Sequence, residues 1–127
     1  MKPETKLLLI VEDEDSVVYA LSEKFNLTEG VKVIFASNGV DGLKKALEEK
    51  PDLILLDIIL PEMDGIEMLE KLREDDWGKN VEVIILSNLS DPDSEKKART
   101  LGVTQYIIKA DCEIEDVVKK ALASIKT

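Results

Sequence analysis

The chain has 127 residues, of which 44% are hydrophobic and 35% are charged, and its formal net charge at pH 7 is −10. This length suits a single core, so we expect one globular domain over residues 1–127. The chain has no histidine and one cysteine, Cys112, which excludes Ser-His catalysis, an internal disulfide and the common zinc sites. The acidic charge argues against direct binding of nucleic acid.

The apolar runs of the sequence are too short to cross a bilayer, so we expect no membrane insertion. The polar N-terminal residues lead straight into the first apolar run and lack the pattern of a signal peptide. We therefore expect a cytoplasmic protein.

Five apolar runs alternate with five segments of helical spacing along the chain. The runs predict strands at Lys6–Val11, Val31–Ala36, Leu53–Leu56, Val81–Leu86 and Gln105–Ile108. Apolar residues three or four positions apart predict a helix after each strand, as at Val17, Leu21 and Phe25, at Val40, Leu43 and Leu47, at Ile66, Leu69 and Leu72, at Ala98 and Leu101, and from Ile114 to Ile125. The repeat predicts an α/β fold with a parallel sheet, and the alternating start of strand 2 places that strand at an edge.

Polar side chains that could form a site follow predicted strands 1, 3, 4 and 5. Strand 1 is followed by Glu12 and Asp13, strand 3 by Asp57, strand 4 by Ser87 and strand 5 by Lys109. Each of these alone is more typical of a helix cap or a solvated turn. Because the C-terminal ends of parallel strands share one edge of the sheet, their joint placement predicts a common site. Carboxylates gathered there repel one another unless a cation lies among them, and oxygen ligands favour Mg²⁺.

Two further acids, Glu14 and Asp15, complete a run of four after strand 1. We expect both in the first turn of helix 1, where the helix dipole favours negative charge. The run therefore divides into a pair for the site and a pair for the helix.

The chain resembles the CheY-like receiver domain of two-component response regulators over essentially its whole length. The resemblance rests on Glu12–Asp13 after strand 1, the block LILLDIILPEMDG at 53–65, Ser87 after VIIL, and YIIK ending in Lys109. It implies a doubly wound, flavodoxin-like (βα)5 three-layer sandwich with a parallel sheet in the order 2-1-3-4-5.

The resemblance also implies a chemical role for each residue of the site. Asp57 would accept a phosphoryl group from a histidine of a sensor kinase or a phosphotransfer protein. Lys109 and the Ser87 hydroxyl would contact the phosphoryl oxygens, and Tyr106 matches the aromatic switch residue of the family. Tyr106 alone would otherwise be interpreted as ordinary packing.

Mg²⁺ is the cofactor that the resemblance implies. Asp13, Asp57 and the backbone carbonyl of Ile59 would bind the ion directly, and Glu12 would act through water.

The sequence departs from the family pattern beside two of these residues. Ala110 follows Lys109 where proline is typical, so we expect a trans bond there, because a cis bond before alanine costs about 2.5–4 kcal/mol. Asn88 follows Ser87 where a small residue is usual, and we expect its larger side chain to narrow access to Asp57.

The expected function is that of a stand-alone signalling module and not of an enzyme in the usual sense. Phosphorylation of Asp57 would switch the surface formed by helix 4, strand 5 and helix 5, which would bind a downstream protein. The domain would contribute to its own phosphorylation and dephosphorylation. A phosphorelay intermediate is the alternative.

Two other functions share parts of this pattern. A flavodoxin-like nucleotide or flavin binder has the same architecture, but acids after strand 1 would repel a phosphate group. A phosphatase that forms an aspartyl-phosphate would need a second acid two residues after Asp57, where Ile59 stands.

Overall fold

The computed structural model describes residues 5–125, so both ends of the predicted domain, residues 1–4 and 126–127, lie outside the described part. Strands and helices alternate throughout it. They are β1 (Lys6–Val11), α1 (Asp15–Asn26), β2 (Val31–Ala36), α2 (Gly39–Glu49), β3 (Leu53–Leu56), α3 (Gly65–Arg73), β4 (Glu82–Ser87), α4 (Pro92–Thr100), β5 (Gln105–Ile108), a 3-10 turn (Lys109–Asp111) and α5 (Ile114–Ile125).

The strands form a parallel five-stranded sheet in the order β2-β1-β3-β4-β5, which confirms the predicted topology and the edge position of β2. Four strands have the predicted bounds. The prediction for β4 was wrong by one residue at each end, because Ser87 continues the strand and pairs with Ile108 of β5. A hydroxyl residue at the end of an apolar run gives no sign of this pairing.

Two apolar layers lie on opposite faces of the sheet and complete the three-layer sandwich. Successive residues of a strand point to opposite faces, so Leu8 and Ile10 belong to one layer while Leu9 and Val11 belong to the other. The first layer includes residues of α1 and α5, and the second includes residues of α2, α3 and α4. Because β1, β3 and β4 are covered on both faces, their sequences are apolar at consecutive positions.

Side-chain caps fix the starts of the three helices on the second face. Asn38 Oδ1 accepts a hydrogen bond from the Asp41 backbone N–H (2.8 Å) at the start of α2, and Asp64 Oδ1 accepts one from the Glu67 N–H (2.9 Å) at the start of α3. Asp91 caps α4 in the same way. Such caps satisfy backbone donors that a helix leaves unpaired, so each helix begins at a defined distance from the preceding strand.

The loop between β3 and α3 packs closely against the end of β3. The Gly65 N–H donates to the Ile58 carbonyl oxygen (2.8 Å), and a Cβ at residue 65 would collide with the backbone carbonyl oxygen of Asp57. Glycine is therefore needed here because the backbone approaches too closely for any side chain.

Two further expectations concern single features of the chain. The Lys109–Ala110 bond is trans, as predicted, since residues 5–125 contain no cis peptide bond. None of the helices described is both long enough and apolar enough to cross a membrane.

Replacing Gly65 by alanine should lower the free energy of unfolding by about 3 kcal/mol, because the added methyl group must displace backbone beside Asp57. Gly30→Ala is the matched control. Gly30 has a positive φ of 81° but open space around an added Cβ, so its replacement should cost only about 1 kcal/mol. Urea unfolding of both variants measures the difference, and equal losses would contradict the close approach.

Candidate functional site

The polar residues predicted from the strand ends lie together at the C-terminal edge of the sheet. Glu12, Asp57 and Ser87 are 3%, 4% and 0% exposed, whereas Asp13 is exposed. Val11 pairs with Leu56 in the β1–β3 register, so the acids that follow these two residues stand side by side. The sheet therefore buries two carboxylates next to each other, an arrangement that requires a neighbouring positive charge.

Lys109 supplies that positive charge. Its Nζ lies 2.6 Å from Glu12 Oε1, 3.0 Å from Asp57 Oδ2 and 3.0 Å from Glu14 Oε1. The lysine side chain is only 9% exposed. An ammonium group has three hydrogen-bond donors, and each of the three donors faces a different carboxylate. Lys109 is therefore the common partner of Glu12, Glu14 and Asp57.

Opposing effects act on the pKa values of this cluster. Burial alone would lower the pKa of Lys109, but its hydrogen bonds to Glu12, Asp57 and Glu14 outweigh burial and raise that pKa above its ordinary value. Burial also raises the pKa of Glu12, and the hydrogen bond from Lys109 offsets part of this rise. Lys109 consequently carries its charge at neutral pH.

Three carboxylates of the site are placed to share a cation. The oxygens of Glu12, Asp13 and Asp57 lie within 4.8 Å of one another. Acids outnumber the single ammonium group here, and an all-oxygen donor set suits a hard ion such as Mg²⁺. The Ile59 N–H donates to Asp57 Oδ1 (3.3 Å), which places Ile59 beside the cluster. The metal role of the Ile59 carbonyl stays a prediction.

Ser87 and Tyr106 are joined through the backbone of a single residue. Leu89 donates its N–H to Ser87 Oγ (3.3 Å) and accepts a hydrogen bond from the Tyr106 hydroxyl at its carbonyl oxygen (2.5 Å). Burial raises the pKa of the half-buried Tyr106, and nearby acids add to the rise, so the hydroxyl keeps its proton and acts as a donor at neutral pH. Ser87 and Tyr106 therefore have Leu89 as a shared hydrogen-bond partner.

Glu14 is the residue of this site whose role the sequence did not reveal. It occupies the N-cap position of α1, but its side chain makes no capping hydrogen bond and pairs with Lys109 instead. Its backbone N–H donates to Glu12 Oε2 (3.0 Å) and helps to orient that carboxylate. Only Asp15 lies in the first turn of α1 as expected. No local pattern could assign Glu14 to a lysine 95 residues away in the chain.

A small pocket of about 260 Å³ opens over this cluster. It is lined by Asp13, Glu14, Asp57, Ile59, Asn88 and Lys109. The pocket gives a small ligand access to Asp57, and Asn88 forms part of its wall. That the Asn88 side chain narrows this access stays a prediction.

Comparison with known proteins identifies the class to which this fold and site belong. The sequence profile of the response regulator receiver domain matches residues 8–121. The chain therefore belongs to the receiver domain family of two-component response regulators, whose members are phosphorylated by kinases and bind Mg²⁺ at an acidic pocket.

Two relatives and one solved structure illustrate this similarity. The chain is 38% identical over 117 residues to sporulation initiation phosphotransferase F of Bacillus subtilis, which covers 91% of this chain and 92% of that protein. It is 42% identical over 106 residues to the alkaline phosphatase synthesis transcriptional regulatory protein PhoP of the same organism, covering 82% of this chain but only 42% of that longer protein. Among solved structures, a CheY-like receiver domain from Methanospirillum hungatei superimposes with a TM-score of 0.86 at 27% identity, covering 97% of this chain and 95% of that one.

Removing the ammonium group should destabilise the protein, because Glu12 and Asp57 would then be buried without a positive partner. Lys109→Ala should lower the free energy of unfolding by about 3 kcal/mol in the absence of divalent cations. The control, Lys44→Ala, removes an exposed lysine of α2 and should change stability by less than about 0.5 kcal/mol. Chemical denaturation in the presence of a chelator measures both, and equal stability of the two variants would contradict the central role of Lys109.

Proposed function

We propose that Asp57 accepts a phosphoryl group from a sensor histidine kinase or a phosphotransfer protein, and that phosphorylation switches the surface formed by α4, β5 and α5 for binding to a downstream protein. One observation carries the proposal: the Lys109 ammonium lies 3.0 Å from Asp57 Oδ2 within a cluster of carboxylates at the strand ends. This arrangement combines a nucleophilic oxygen with positive charge for the group that it would receive.

The chemistry follows from the position of these groups. An oxygen of Asp57 attacks the phosphorus of a phosphohistidine, a new O–P bond forms, and the N–P bond breaks with its electron pair left on the imidazole nitrogen. Positioning and charge stabilisation supply most of the catalysis in phosphoryl transfer. Lys109 would exchange a carboxylate partner for a phosphoryl oxygen, and the Ser87 hydroxyl would donate a hydrogen bond to another.

Mg²⁺ fits the donor set that the site presents. Asp13, Asp57 and the carbonyl of Ile59 would hold the ion, with Glu12 acting through water. When bound, Mg²⁺ supplies positive charge that offsets the repulsion between the carboxylates and an incoming phosphoryl group. Glu12 and Asp57 already share Lys109, so binding of the ion and the position of this lysine are linked.

The proposed switch uses the contact between Ser87, Leu89 and Tyr106. If the Ser87 hydroxyl turns toward a phosphoryl oxygen, it gives up its hydrogen bond with the Leu89 N–H. The Leu89 carbonyl oxygen also accepts a hydrogen bond from the Tyr106 hydroxyl, so a shift of Leu89 would free the aromatic ring to move. A conformer that binds the phosphoryl group better then becomes the dominant one.

The phosphorelay alternative is favoured by one relative. The Bacillus subtilis protein that this chain matches over 92% of its length is named a phosphotransferase, which supports transfer of the phosphoryl group onward.

The chain spans less than half of the PhoP regulator. The stand-alone character, the cytoplasmic location and the absence of nucleic-acid binding therefore stay parts of the proposal. The carboxylates at the end of β1 count against a flavin or nucleotide site, because they would repel a phosphate group.

Incubation with acetyl phosphate and Mg²⁺ tests the phosphoacceptor. Intact mass should rise by one phosphoryl group in the wild type and should not rise in Asp57→Asn, because the amide cannot act as the nucleophile. Asp15→Asn serves as the control, since it removes an exposed acid of the first turn of α1 that is not one of the three carboxylates paired with Lys109. Phosphorylation of Asp57→Asn at the wild-type rate would show that another residue is the acceptor.

Mg²⁺ titration followed by calorimetry tests the metal ligands. Loss of outer-shell partners commonly costs about 10–100-fold in metal affinity, so loss of a direct ligand in Asp13→Asn should weaken Mg²⁺ binding at least about tenfold. Glu12→Gln should have a smaller effect, and Asp15→Asn should have almost none. Equal Mg²⁺ affinity of Asp13→Asn and Asp15→Asn would remove Asp13 from the metal site.

A further inference from the structure

A side-chain hydrogen bond joins the two loops that carry the phosphoryl-contacting groups. Asn88 Oδ1 accepts a hydrogen bond from the backbone N–H of Ala110 (3.0 Å). Asn88 directly follows Ser87, and Ala110 directly follows Lys109. This contact, the Asn88–Ala110 tie, therefore links the immediate neighbours of both groups.

The tie continues the pairing of two strands beyond the point where their backbones separate. The register of β4 and β5 ends at Ser87 and Ile108. Asn88 lies one residue beyond the end of β4, and Ala110 lies two residues beyond the end of β5. Here a side-chain oxygen accepts the backbone N–H, as a backbone carbonyl oxygen does within the sheet. Asn88 and Ala110 are both exposed, so water can replace this hydrogen bond when the loops move.

The two residues of the tie depend on each other chemically. A proline at position 110 would have no N–H to donate, and an alanine or glycine at position 88 would have no side-chain acceptor. Both positions are those at which the sequence departs from the family pattern. The hydrogen bond thus gives a single physical reason for Asn88 and Ala110, two departures that look unrelated in the sequence.

The segment beyond the tie leads to the opposite side of the domain from Tyr106. Ala110 lies in the 3-10 turn that precedes α5, and Cys112 and Ile114 pack into the layer shared with α1. The start of α5 is also joined to α1 by an ion pair between Glu115 and Lys24 (3.1 Å). A displacement of Ala110 would therefore act on the surface between α1 and α5.

We propose that the Asn88–Ala110 tie passes the movement of Ser87 to the start of α5, as a second route that does not involve Tyr106. The inference rests on the proposed function, because phosphorylation of Asp57 is what draws Ser87 inward. Asn88 is covalently bonded to Ser87, so it shifts when Ser87 shifts. This shift either moves Ala110 through the hydrogen bond or breaks the hydrogen bond. Asn88 is a positioning residue in this scheme and acts through Ala110.

Amide hydrogen exchange tests whether the tie exists. Exchange at Ala110 should be roughly tenfold faster in Asn88→Ala than in the wild type, because the acceptor is lost. Asn88→Asp keeps an acceptor oxygen and should retain the protection. Ser90→Ala, at an exposed position of the same loop, is the matched control and should leave exchange at Ala110 unchanged. Equal exchange in the wild type and Asn88→Ala would overturn the proposal.

Beryllofluoride with Mg²⁺ then tests the coupling, because it imitates the phosphoryl group on Asp57. In Asn88→Ala, amide NMR shift changes at residues 110–115 should fall to less than about half of those in the wild type, while the change at Tyr106 persists. Full-sized changes at residues 110–115 in this variant would show that the tie is only structural and would overturn the coupling. If wild-type protein neither responds at Tyr106 nor gains a phosphoryl group on Asp57, the proposed function fails, and the coupling fails with it.

Discussion

The hydrogen bonds of one ammonium group to three carboxylates hold the site together. Glu12 and Asp57 are buried side by side, and without a cation their repulsion would oppose the packing of β1 against β3. Lys109 satisfies both acids and takes Glu14 as a third partner. The same contacts hold the segment after β5 against the sheet edge. Lys109 therefore joins the stability of the domain to the chemistry of its site.

The parallel sheet is what makes this arrangement possible. Glu12 and Lys109, 97 positions apart in the chain, converge because every strand ends at the same edge. The loop after Asp57 is fixed by close packing, since Gly65 lies against the Asp57 carbonyl and Gly39 against the Met63 carbonyl. Asp57 thus stands at a closely packed strand end, while a hydrogen bond between the exposed residues Asn88 and Ala110 joins the segments that follow β4 and β5.

This division between fixed and movable parts suits a switch. Ser87 belongs to β4 and is fully buried, and the two residues that follow it each make a hydrogen bond to another part of the fold. Leu89 leads to Tyr106 and to the surface of α4 and β5, whereas Asn88 leads to Ala110 and the start of α5. The contacts toward these two surfaces therefore begin one and two residues after Ser87. In the proposed switch, a small movement of Ser87 would therefore act on both sides of the sheet.

Most of the fold and the central part of the site were determined by the sequence itself. Hydrophobic spacing, cap residues and strand-end acids are local patterns, and they predicted every strand within one residue, the parallel sheet and the meeting of Asp57 with Lys109. The tertiary structure alone decided which distant partner each flexible polar side chain chose. The Glu14 side chain pairs with Lys109 instead of capping α1, and the Asn88 side chain accepts a hydrogen bond from the Ala110 N–H. These pairings depend on the distances between loops in the folded domain, and hydrophobic spacing along the chain does not predict those distances.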